Sequence, residues 1–71
     1  MITKEEAAEF LLKQPWAVKW AESMCKVVFG DKWKEMPEEE RKEYIRGVIY
    51  RKLAPSLIDE VEEIMEEQSK G

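Results

Sequence analysis

Between Trp16 and Phe29 lies an apolar surface that, wound at about 100° per residue, wraps more than half the circumference of a helix. Trp16, Val27, Trp20 and Met24 form one edge of this arc, and Ala17, Val28 and Ala21 form its middle. Cys25, Val18 and Phe29 form the other edge. Only Lys19, Glu22, Ser23 and Lys26 are left to face water. An arc this wide asks for cover from neighbours on two sides, so the stretch is expected to be the central helix of an all-α fold, with its Trp residues in the core.

The chain has 71 residues, room for a single domain over residues 1–71 with one small core. Such a chain buries only about 60% of the surface it exposes when unfolded. Three Trp, two Phe, two Tyr and four Met supply the apolar area it needs to fold alone.

Local signals place the other helices. Thr3 with Glu6 reads as a capping box opening a helix over about 4–14, in which Glu9 and Lys13 form a favourably oriented pair. Pro15 suits the first position of the next helix, about 15–29, which Gly30 ends. Asp31 is placed to cap a short helical turn near 31–36 that carries Trp33, the Trp expected to be the most exposed. Pro37 then opens a helix over about 37–53, with Glu38, Glu39 and Glu40 in its first turn and Tyr44, Ile45, Val48, Ile49 and Leu53 as its core face. Pro55 breaks the pattern, Ser56 caps a fourth helix over about 56–67, and residues 68–71 read as a disordered tail. The expected fold is thus a small orthogonal bundle of four helices.

Charge is unevenly distributed within a formal net of −4. Residues 55–71 carry one Lys against six acids, while residues 31–54 carry seven basic against six acidic groups. An acidic balance argues against tight phosphate-driven nucleic-acid binding, although a local basic patch can survive it. One Cys and no His exclude an intramolecular disulfide, a Cys/His zinc site and the His-based nucleophile pairs, so neither an enzyme nor a metal or other cofactor is expected. No apolar run reaches the length of a membrane span, and the first residues lack the basic-then-apolar pattern of a signal peptide. The expected setting is intracellular and reducing, with no membrane partner, and Cys25 is expected to be a buried, unreactive hydrophobe.

Two surfaces are candidates for function. Lys42, Arg46 and Tyr50 recur four apart on the third helix with Arg51 beside them and Gly47 between, a pattern suited to phosphate contact and base stacking. The same residues also read as an ordinary solvated face stabilised by a Glu38–Lys42 pair. On the fourth helix, Leu57, Ile58, Val61, Ile64 and Met65 recur at helical spacing opposite Asp59, Glu60, Glu62, Glu63, Glu66 and Glu67. That apolar stripe, if not covered within the domain, is a partner groove or dimer seam, and the acidic side could meet a basic partner.

From Phe29 to Val48 the sequence resembles the HMG box. The run Phe29-Gly30-Asp31-Lys32-Trp33-Lys34-Glu35-Met36 is followed by Pro37-Glu38-Glu39-Glu40-Arg41, then by Tyr44 and Val48. The resemblance implies a three-helix L-shaped fold that binds and bends DNA from the minor groove, with Trp33 as a core residue. It spans 20 of the 71 residues; the family's basic N-terminal strand is absent, and Pro55 cuts what would be its long third helix. The functional expectation is a non-catalytic binding or regulatory module acting by protein–protein contact or self-association through the C-terminal helix. The alternative is DNA binding, HMG-box-like or by a helix-turn-helix, through Lys42, Arg46, Tyr50 and Arg51.

Overall fold

The computed structural model describes residues 1–70 and is all-α; among them there is no strand. The four expected helices are present as α1 (Lys4–Leu12), α2 (Pro15–Phe29), α4 (Glu38–Val48) and α5 (Ala54–Lys70), with a single turn, α3 (Lys32–Glu35), between the second and third.

The N-terminal grammar holds. Thr3 Oγ1 accepts from the Glu6 backbone N–H while Glu6 Oε1 accepts from the Thr3 N–H, both at 3.1 Å. Pro15 opens α2, and Gly30, with φ of 59°, closes it. Asp31, in contrast, makes no side-chain capping bond. Glu9 turns away from Lys13 and pairs with Arg46 instead.

Pro55 does not break the chain's course. A π-helical segment, Ile49–Leu53, joins α4 to α5, so helical structure runs from Glu38 to Lys70 without interruption. A proline inside an α-helix drives its ring into the carbonyl four residues back and removes a donor. The wider π turn, in which the Ala54 N–H reaches back to the Ile49 carbonyl, makes room for that ring. Ser56 is correspondingly not a cap: its hydroxyl donates to the Lys52 carbonyl at 3.0 Å, and it sits inside the helix. Gln68, Ser69 and Lys70, expected as tail, are the last turn of α5, and Gly71 lies outside the described residues.

The α4–α5 rod is the spine. The helix α1 runs antiparallel along it, as three contacts show: Ile2 meets Glu62, Glu5 meets Tyr50, and Glu9 meets Arg46. Helix α2 lies mainly against α4, with α1 on its other flank. The result is elongated, 44 × 19 × 16 Å, with a radius of gyration of 13.4 Å against about 11 Å for a compact chain of this length.

The core is a row of small and medium side chains: Ala7, Ala8 and Leu11 of α1, Ala17, Ala21 and Cys25 of α2, Ile45, Ile49, Ala54 and Val61 of the spine, and Trp33. Adjacent Ala7 and Ala8 on α1, and Ala17, Ala21 and Cys25 four apart on α2, are small enough to let the backbones approach closely. The order of exposure among the Trp residues is the reverse of the expected one. Trp33 is 2% exposed because the turn at Gly30 folds it back beside Phe29, whose ring stacks at 6.1 Å and in turn leans on Tyr44 at 4.8 Å. Trp16 and Trp20 are the ones that face solvent.

Candidate contact surface

The basic strip folds inward on its own chain. Arg46 Nη1 donates to Glu9 Oε1 at 3.0 Å, and the Tyr50 hydroxyl donates to Glu5 Oε1 at 3.0 Å. Arg51 Nε donates to the Gly47 carbonyl at 3.2 Å, and Lys42 Nζ is 3.8 Å from Glu38, the pairing expected along the helix. Arg46, Tyr50 and Arg51 line an open groove of about 980 Å³ between α1 and α4. Glu5, Glu9, Glu40 and Glu43 line it too, so carboxylates outnumber the guanidinium groups there. A phosphate entering this groove would meet net negative charge.

One position in the groove is open to improvement. A Cβ added at Gly47 would meet only the Arg51 guanidinium, Nη2 at 3.2 Å and Cζ at 3.8 Å, the far end of a long exposed side chain that need shift by only a few tenths of an ångström. Gly47→Ala is therefore expected to raise stability by about 0.5–1 kcal/mol by removing a helix-interior glycine, seen as a higher urea midpoint.

The Glu5–Tyr50 bond couples α1 to the spine and makes stability depend on pH at both ends of the scale. Donation from its own backbone N–H, and then from Tyr50, holds the Glu5 carboxyl below its ordinary value. The same bond, with the adjacent negative charge, pushes the Tyr50 hydroxyl up. A depressed carboxyl contributes stability above its unfolded value, about 4.3, which is lost as pH falls through the folded one. A raised phenol contributes below its unfolded value, about 10, and that contribution is lost as pH rises through the folded one. Tyr50→Phe is expected to remove the Tyr50 contribution to the alkaline limb of a plot of denaturation midpoint against pH, and to weaken the acid limb while leaving the part that the Glu5 backbone N–H supplies.

The apolar side of α5 is mostly spent on folding. Of the five residues expected to bind a partner, Val61 is 2% exposed, and Leu57, Ile58 and Met65 are half-buried against the core. Only Ile64, 42% exposed, is free to meet another molecule. Helix α1 is the cover, and the start of the chain is tied down with it: the Ile2 N–H donates to Glu62 at 2.9 Å, with the terminal ammonium 3.7 Å from the same carboxylate.

The surface that stays open is on α2, where cover on two sides was expected. Trp16 is 54% exposed, Trp20 38%, Val27 83% and Val28 73%. With half-buried Met24 they form an apolar stripe along one side of the helix, flanked by Lys19 and Lys26. The elongated spine explains the difference, since neighbours reach α2 along Ala17, Ala21 and Cys25 and the adjoining Val18 and Phe29, and leave the other edge of the apolar arc open. Sequence held a signal for this: small residues four apart mark the side of closest approach, which puts the adjacent large residues at or beyond its edge. Cys25 is buried as expected, and desolvation first, then the charge of Glu22, pushes its thiol up.

Among the described residues no group of Cys, Asp and Glu converges as metal ligands would, and no helix is long and apolar enough to cross a membrane. No family model, curated protein or solved structure matches the chain.

Proposed function

We propose that this protein is a non-catalytic binding or regulatory module that acts through protein–protein contact, and that its contact surface is the outer side of α2. The observation that carries the reading is the run of Trp16, Trp20, Val27 and Val28 left open along one helix. Two exposed Trp side chains on a rigid helix are costly to leave in water, and aromatic anchors of this kind dominate binding energy at protein interfaces. Contact through the acidic C-terminal helix has less support, since Leu57, Ile58, Val61 and Met65 are occupied by the fold. DNA binding through Lys42, Arg46, Tyr50 and Arg51 has less support too, because a phosphate there must displace Glu5 and Glu9 and then face Glu40 and Glu43.

Site-specific photocross-linking tests the reading. A benzophenone amino acid at position 20 is expected to yield protein adducts in extract of the source cells, and the same group at Glu66, on the far part of α5, is not. Absence of any adduct from position 20, or equal yields from both positions, would overturn it.

A further inference from the structure

The reading of α2 as a contact surface does not by itself name an occupant; building on it, we infer that the occupant is a second copy of the chain, its α2 lying antiparallel to the first in a symmetric dimer.

Surface area is the first support. The folded chain exposes 5422 Å², whereas a compact monomer of 8.4 kDa exposes about 4,600 Å². The two Trp and two Val of the stripe, at the exposures given above, account for on the order of 500 Å² per copy. Two copies pairing on it would remove roughly 1,000 Å², the size at which a small interface becomes specific. Pairing thus brings each copy close to the surface expected for its mass.

The order of side-chain sizes is the second support. Large rings, Trp16 and Trp20, occupy the first half of α2, and small branched side chains, Val27 and Val28, occupy the second. An antiparallel partner sets Trp16 against the partner's Val27 and Val28, and Trp20 beside the partner's Met24. Each ring then meets a smaller side chain, as interdigitated packing requires. The two-fold axis passes at the level of residues 22 and 23, where Trp20 and Met24 face the partner and exposed Ser23 lies at the edge of the seam on the lysine flank. A contact in which the same patch serves both copies closes on itself and does not propagate into a filament.

Charge supplies the fingerprint. Lys19 and Lys26 lie on one flank of the stripe, and Glu22 is 3.5 Å from Lys26. The antiparallel arrangement brings Lys19 toward the partner's Lys26, so the flank is net positive, and the pair should tighten as salt screens it. An acidic protein helix or an anionic lipid surface seated on the same lysines would loosen with salt instead.

Sedimentation of the full chain from low micromolar to near-millimolar concentration is the test. The expected result is a mass rising from one chain to two, at lower concentration in high salt than in low salt, with Trp emission shifting to the blue in step. Val27→Lys, at the most exposed position of the stripe, is expected to abolish the rise and leave the helical circular dichroism unchanged. Ser23→Cys, close to the axis, is expected to be captured as a dimer by a short bis-maleimide, and Val28→Cys, far from it, is not; capture at both positions would overturn the antiparallel arrangement. A chain that stays monomeric throughout overturns the dimer. If position 20 still photocross-links to a different protein, the contact reading survives without self-pairing; if it cross-links to nothing, both fall. A dimer that survives Val27→Lys, or that loosens with salt, also overturns the inference.

Discussion

Trp33→Ala is expected to remove a large fraction of the chain's folding stability. The side chain is among the largest fully buried in the molecule, and it joins α2, α3 and α4 through its stack on Phe29 and, beyond that, Tyr44. Truncating a buried Trp costs about 3–5 kcal/mol, because the lost transfer energy is compounded by a cavity that neighbours fill only in part. A domain of this size commands about 4–10 kcal/mol in total, so the substitution removes a large fraction of it. Trp16→Ala, by contrast, is expected to move stability by about 0.5 kcal/mol, as at other exposed positions. Urea titrations followed by circular dichroism separate the two. Equal losses from both would mean that Trp16 is core and that α2 is covered on both sides.

The second large effect lies on α5. Val61→Asp places a carboxylate in a buried position among apolar side chains, a change on the scale of an unpaired buried charge, about 3–5 kcal/mol. Ile64→Asp, three residues along and 42% exposed, is expected to fold with a midpoint close to that of the parent. Thermal melts of the pair check this. Tolerance of Asp at position 61 would show that α1 does not seal this face, and would return the C-terminal helix to consideration as the binding surface.

What could be read from the residues, and what could not, follows the range of the interactions involved. Thr3 with Glu6, Pro15 and Gly30 act within one turn of chain, so their effects on α1 and α2 are legible without tertiary structure. Pro55 is also a local signal, but the rule that proline ends a helix assumes an α-helical turn ahead of it. Five residues of π-helix change that premise. Periodicity along Trp16–Phe29 measures how much apolar surface a helix has, and is silent on how much of it three other short helices can reach. Spine length and direction settle that, and both depend on the chain running on through Pro55. Trp33 reads as exposed in the sequence because it sits in a four-residue turn, and only the bend at Gly30 brings it back onto Phe29. The polar groups of Arg46 and Tyr50 are visible in the sequence, but their pairing with Glu9 and Glu5 spans 37 and 45 residues.

The π-helical segment also sets how this chain can change length. Along the spine the buried positions Ile45 and Ile49 are four apart, Ala54 follows after five, and Val61 after a further seven. Four and seven keep step with an α-helix; five carries one residue too many, and the wide turn absorbs it. Deleting one residue between Ile49 and Ala54 would leave every core side chain in phase and turn the spine into an ordinary helix, but with no slack left for the ring of Pro55. That proline and the surplus residue before it are therefore a matched pair: a shortened chain would need to exchange the proline as well, and the two changes together should be far milder than the deletion alone.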